Sequence, residues 1–214
     1  RICSEIRHKI ISGEFRPGER MVEAKVAKRF GVSITPVREA FSELEKRGLL
    51  TVFPYRGTYV TIITKESAQE LISVRRQLEH LAARLAFANL KAEDAEQLQY
   101  MCERADKSTD AGEYLASIEY DVQFHEFFFK KAKNSLLFEL WSILKERVTF
   151  FQSVTRPSCS SVCPRLSDRH GEIVKAVREM DLDMLLVALD SHLELSVRRA
   201  ELPESKDVSY RNER

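Results

Sequence analysis

β-Branched and aromatic residues crowd into one stretch of this chain, Leu49 to Ile63, where they flank Pro54 and Gly57 and read as two short strands around a turn. No other stretch carries a strand pattern. From Thr64 onward the apolar residues recur only at helical spacing. A lone hairpin is marginal by itself and must lean on helices. The expected fold class is therefore mainly α, with a small head that holds the hairpin and an all-helical body.

In the head, Ile2, Ile6 and Ile10 recur at helical spacing up to Gly13, and Phe15-Arg-Pro-Gly18 reads as a turn. Val22, Val26, Ala27 and Phe30 mark a second short helix stopped by Gly31. Val37, Ala40, Phe41 and Leu44 share one face of a third, which ends at Gly48. Thr35 can cap that third helix with Pro36 at its first position, and Ser33 is a rival cap. Three short helices and a hairpin make a winged helix-turn-helix, with Phe30-Gly-Val-Ser33 as the helix-to-helix turn.

In such a unit the helix after the turn enters the DNA major groove, and its first residues reach base edges. Here those are Ser33, Ile34, Thr35, Val37 and Arg38. Arg38 can meet guanine through two hydrogen bonds, and Ser33 and Thr35 can contact phosphate or base. Arg56 and Gly57 occupy the hairpin tip. Small three-helix units also serve as protein–protein modules, and a single arginine is often only a solvated surface group, so the pattern leaves both readings open.

Charge is divided along the chain. Residues 1–63 hold 12 Lys/Arg against 7 Asp/Glu, and the remainder 22 against 26, although the net charge of the 214 residues is only +1. A basic head on an acidic body is compatible with DNA binding. No run of about 18 apolar residues suggests a membrane span, and no charged-then-apolar leader is visible. The chain opens without Met and almost inside a helical pattern, so residues before Arg1 are expected. Cys3, Cys102, Cys159 and Cys163 are scattered and suit a reducing, cytoplasmic setting rather than a disulfide framework. Cys159 and Cys163 lack a second ligand pair, which disfavours zinc there.

The body reads as six helices: 65–89, 92–108, 112–132, 135–155, 165–180 and 182–200. Asn134 and Asp181 stand at the tightest junctions, 156–164 is a loop and 203–214 a frayed polar tail. The domains expected are 1–63, a winged helix-turn-helix, and 64–202, an antiparallel bundle of about six helices. An ionisable residue interrupts the apolar stripe on four of those helices. The stripes are Leu71-Arg75-Leu78-Ala82, Ile118-Asp121-His125-Phe128, Leu166-His170-Ile173-Val177 and Leu185-Leu189-His192-Leu195. Burying such groups without partners is costly, so they are expected to meet one another or a ligand.

Asp121 and His125 are four residues apart and project from one face. His170 and His192 each lie 11 residues from Asp181, which puts them at one height, roughly 16 Å from the bend of a helical hairpin. One carboxylate and three imidazoles suit a divalent transition metal, Zn²⁺, Ni²⁺ or Mn²⁺. Such a site could activate water in a hydrolase or lyase, but no separate general base is placed for that work, because Glu126 points off the face of His125. Hydrogen-bonded core histidines remain the competing reading.

The strings Gly-Glu-Phe-Arg-Pro-Gly-Glu (13–19), Val-Ser-Ile-Thr-Pro-Val-Arg-Glu-Ala-Phe (32–41), Leu-Glu-Lys-Arg-Gly-Leu-Leu (44–50) and Arg-Gly-Thr-Tyr-Val (56–60) closely resemble the GntR superfamily of bacterial transcription regulators. Residues 66–200 resemble the FCD (FadR C-terminal type) ligand-sensing domain. That likeness is carried by Val-Arg-Arg-Gln-Leu-Glu (74–79), Asp121-x-x-x-His125, Asn134, His170 with Ile173 and Ala176, and His192. The resemblance implies a homodimeric regulator, a repressor by expectation, bound to an inverted-repeat operator in double-stranded DNA. Ser33, Thr35, Arg38 and Gly57 fall at family DNA-contacting positions.

The resemblance also implies metal ligation by Asp121, His125, His170 and His192, a small carboxylate effector, and Arg75 as the arginine facing it. The alternative for Arg75 is a salt bridge to a buried Glu. A purely structural metal is the alternative for the site. Six body helices match the shorter FCD subtype. One departure stands out: Ile34 replaces an Arg that members often carry, which removes a phosphate or base contact.

Overall fold

In the computed structural model, described for residues 1–155, 165–198, 202–205, 208 and 210, the chain divides into two compact units. One comprises Arg1–Glu66 with Leu202–Arg214, the other Ser67–Glu201. The loop expected at 156–164, with Cys159 and Cys163, lies outside the described residues. The fold is mainly helical, as the periodicity implied.

The first unit holds α1 (Ile2–Ile11), β1 (Arg20–Met21), α2 (Glu23–Phe30), α3 (Ile34–Lys46), β2 (Leu50–Phe53) and β3 (Gly57–Val60). Ile6, Ile10, Val37, Leu44, Leu49 and Val60 form its core, all 2 % exposed or less. Each contributes roughly 1.5–3 kcal/mol of apolar burial. The sheet has one strand more than the hairpin pattern suggested. β1 pairs antiparallel with β3, Arg20 opposite Tyr59, while β2 pairs with β3 from Leu50–Val60 to Phe53–Gly57. Two residues are too short to show a period, so β1 left no sequence signal.

Gly31 closes α2 with φ +66, the left-handed turn that sends the chain into α3. The cap of α3 is Ser33, not Thr35, and the helix starts at Ile34. Pro36 therefore sits third in the helix, where its missing N–H costs nothing, since the first four amides have no helical acceptor.

The expectation of a frayed tail is corrected where the tail is described. Pro203 O accepts Lys65 N–H at 3.0 Å, and Ser205 bonds Glu66 Oε2 through N–H and Oγ–H at 3.0 and 2.7 Å. Ile62 N–H donates to the Tyr210 hydroxyl at 3.2 Å, and the Tyr210 ring lies 4.7 and 5.3 Å from those of Phe53 and Tyr59. Composition marked these residues as polar and overlooked one aromatic that finds two others.

The second unit is built from α4 (Lys65–Phe87), α5 (Asp94–Asp110), α6 (Tyr114–Lys131), α7 (Ser135–Thr155), α8 (Leu166–Glu179) and α9 (Leu182–Arg198). α5 packs on α6 and α8, α6 on α7, and α8 on α9. Leu98, Cys102, Phe124, Phe128, Trp141, Ile173, Val177, Leu185 and Leu189 form its buried core. Asn134 accepts Leu137 N–H at the start of α7, and Asp181 accepts Met184 N–H at the start of α9. Met180 supplies the left-handed residue between α8 and α9. Leu195, placed on the buried stripe of the last helix, is 43 % exposed, while Leu193 two residues before it is fully buried.

Candidate metal centre and nucleic-acid interface

Asp121 and His125 project from α6, one turn apart, and meet His170 of α8 and His192 of α9. All four are buried, at 0, 1, 0 and 4 % exposure. One possible ligand atom from each lies within 4.8 Å of all the others. His170 Nε2 is 3.2 Å from Asp121 Oδ1 and 3.1 Å from His125 Nε2. The His192 ring lies 4.1 Å from that of His170 and 5.0 Å from that of His125, centre to centre. The hairpin turn at Asp181 thus sets both helices at the height that equal spacing required.

The outer hydrogen bonds decide where the protons are. His170 Nδ1–H donates to Leu166 O at 3.0 Å. His125 Nδ1–H donates to Glu79 Oε2 at 2.8 Å. Burial alone would raise the Glu79 carboxyl, but Arg75 and His125 beside it overcome that and hold it at about 2, so it is an acceptor only. Burial pushes His170 down to about 4 against the pull of Asp121. Burial, and then His170 and His125, lower His192 well below the ordinary histidine range. The Nε2 atoms of His125 and His170 thus face each other beside the Asp121 carboxylate, with both Nδ1–H groups bonded outward. Imidazole nitrogens oriented by outward Nδ1–H bonds and set beside a carboxylate are the donor arrangement that holds a metal cation.

Other helices supply the supports. Glu79 of α4 also accepts Arg75 Nε–H at 2.5 Å, a buried pair four residues apart. Arg75 is thus paired with a buried Glu, as its alternative reading held, while its Nη2, on a side chain 1 % exposed, has no hydrogen-bond partner among the described residues. Gln152 of α7 donates through Nε2 to Asp121 Oδ2, and its buried Oε1 has no donor among the described residues. Asp106 of α5 accepts Leu166 N–H at 2.6 Å and Ser167 Oγ–H at 2.5 Å, which fixes the start of α8 one turn before His170. Glu126 is occupied elsewhere, by Lys145 at 2.8 Å, Lys130 at 2.9 Å and the Trp141 N–H at 3.3 Å. It is not free to act as a base.

Acid should loosen this cluster in metal-free protein. His170 has its folded value below its ordinary one, so the unfolded chain takes up the proton first. Stability then falls as pH drops from about 6.5 to 4, by of order 3 kcal/mol. Glu79 adds a second loss between about 4.5 and 2. Urea titration of chelator-treated protein should show the midpoint falling across the first window. A flat midpoint from pH 6.5 to 4 would contradict neutral, buried rings.

In the first unit, Ser33, Thr35 and Arg38 are exposed at the N-terminal end of α3, and Arg56 is exposed at the wing turn. Gly57 has φ +111, and a Cβ there would meet Arg20 Nε at 3.3 Å. Two neighbours escaped the sequence reading. Tyr55 stands fully exposed at the wing tip with φ +63. Glu23 holds the Arg38 guanidinium at 3.1 Å.

Comparison with known proteins agrees with this division. Residues 1–60 match the bacterial regulatory proteins of the gntR family, and residues 70–195 match the FCD domain. The HTH-type transcriptional regulator YdhC of Bacillus subtilis is 32 % identical over 148 residues, 69 % of this chain and 66 % of YdhC. The gluconate operon transcriptional repressor of Bacillus licheniformis is 27 % identical over 201 residues, 91 % of this chain and 81 % of the repressor. Among solved structures, McbR/YncC of E. coli superposes with a TM-score of 0.72 at 22 % identity, covering 92 % of this chain and 93 % of McbR; this likeness concerns the fold. Both families and the relatives named are regulators of transcription, not enzymes. No helix among the described residues is long and apolar enough to cross a membrane.

Proposed function

The chain belongs to the gntR family of bacterial regulatory proteins and carries an FCD domain, and we propose that it is a homodimeric repressor released or retained on an inverted-repeat DNA operator by a small carboxylate bound at a metal centre. Asp121, His125, His170 and His192 would hold the ion, and Zn²⁺, Ni²⁺ and Mn²⁺ all suit that donor set. When bound, such an ion supplies a Lewis-acidic point that attracts an anionic oxygen.

The observation that carries this reading is the pair of facing Nε2 atoms, His125 and His170, 3.1 Å apart with both protons committed outward. Arg75 supports an anionic effector: its Nη2 is a buried cationic donor left over after Glu79 takes Nε. A purely structural ion would leave that donor without a use. Gln152 Oε1, a buried acceptor lacking a donor, suits a hydroxyl or water next to the carboxylate. Exposed apolar residues support a second copy as partner. Val74, Leu81 and Leu85 recur along α4, and Leu136, Leu140 and Ile143 along α7.

Ser33, Thr35, Arg38, Arg56 and Gly57 would form the DNA contacts, with Arg38 worth about 1–3 kcal/mol of base discrimination. Effector and operator must alter each other's affinity equally. The test is elemental analysis of protein purified without chelator, followed by gel shift on DNA from upstream of its own gene, with a panel of small mono-, di- and tricarboxylates. About one metal ion per chain is expected, together with at least one acid that moves the operator affinity roughly 5- to 150-fold. Metal-free protein that binds DNA and ignores every acid would defeat the sensing half. Absence of binding to that DNA would defeat the operator half.

A further inference from the structure

Arg38 is already in the grip of an acid. Its Nε–H donates to Glu23 Oε1 and Oε2 at 3.4 and 3.2 Å, and an Nη2–H donates to Oε2 at 3.1 Å. Glu23 opens α2 and Arg38 lies in α3, so the packing of the helix-turn-helix itself sets the pair. The side chains are 70 % and 34 % exposed. An ion pair that open to solvent adds at most about 1 kcal/mol to stability, too little to explain it as a fastening of the fold.

Its consequence is felt at the DNA surface. A guanidinium is a flat fork with two usable edges, one made by Nε and Nη2 and the other by Nη1 and Nη2. Glu23 takes the first. The second remains for the paired acceptors O6 and N7 of guanine. The same carboxylate cancels the local positive charge and repels a phosphate, so the arginine keeps its hydrogen bonds and loses most of its attraction to the backbone. Arg56 at the wing turn differs: it has no ion pair among the described residues and keeps its full charge for phosphate.

We infer that Glu23 sets DNA specificity by turning Arg38 from a phosphate clamp into a reader of base edges. This rests on Arg38 meeting DNA, as proposed above. The experiment compares the full chain with E23Q, R38A and the double variant on two duplexes, the tightest binder selected from a random duplex pool and a scrambled duplex of equal composition. Binding is measured across a salt series.

E23Q is expected to bind the scrambled duplex about tenfold more tightly, with a log–log salt slope steeper by about one, and to gain little on the selected duplex. The ratio between the two thus falls about tenfold, and E23A should act in the same direction. In the R38A background the effect of E23Q on that ratio should vanish. An unchanged ratio in folded E23Q and E23A, with R38A impaired, overturns the inference alone. A shift that persists without Arg38 overturns it as well. R38A with unaltered affinity for both duplexes removes Arg38 from the DNA contacts and the inference with it.

Discussion

His170→Ala should leave the protein folded and nearly metal-free. The substitution removes one of the four buried candidate ligands and the ring that lies within 3.2 Å of both Asp121 and His125. Three remaining ligands from two helices can hold an ion only weakly, and the space left by the ring admits water to compete. Wild-type protein purified without chelator should carry about one ion per chain, against less than about one tenth in the variant. The rise in melting temperature on metal addition should disappear too, since an ion stabilises only the state that binds it. His80→Ala is the control: His80 pairs with Asp190 at 3.0 Å and is not one of the four clustered side chains, and its loss should leave metal content unaltered. A His170→Ala protein with full metal content would show that the four side chains do not share an ion.

Arg75→Met should strongly destabilise the second unit. Glu79 is 2 % exposed, and Arg75 comes first among the groups that offset its burial, ahead of His125. Removing Arg75 leaves Glu79 charged in the interior with only the His125 N–H as a partner, and breaking a buried ion pair costs about 3–5 kcal/mol, a fall in melting temperature of roughly 10 °C. Replacing both members, as R75M/E79Q, removes the stranded charge and keeps an amide oxygen for His125 Nδ1–H. The double variant should recover most of the lost stability and still fail to respond to carboxylates. Melting curves with and without the effective acid separate the two roles of Arg75. A single variant that melts with the wild type would contradict the buried pair, and a double variant that still responds would take Arg75 out of effector binding.

The main lines of the fold were legible because the apolar residues keep one period through each long helix. α4, α6, α7 and α8 begin and end within two residues of the expected spans 65–89, 112–132, 135–155 and 165–180. The four candidate ligands were legible for a related reason: each breaks an apolar stripe, and equal spacing about Asp181 set two of them level. Their supports were not. Glu79 and Gln152 lie on α4 and α7, apart from the ligands in sequence, and a lone Glu or Gln beside an apolar face looks like any solvated residue until the bundle closes over it. Glu23 escaped notice in the same way, since acids are ordinary in the first turn of a helix. β1 was invisible because pairing, not composition, makes Arg20–Met21 a strand.

Tyr210, resting on Phe53 and Tyr59, gives the reading head a discontinuous sequence. During synthesis the ribosome must deliver the entire bundle before the hairpin receives its last aromatic neighbour. A fragment ending at the linker after Ile63 would therefore be a head missing part of its own packing, and its behaviour on DNA would not measure what the intact head does.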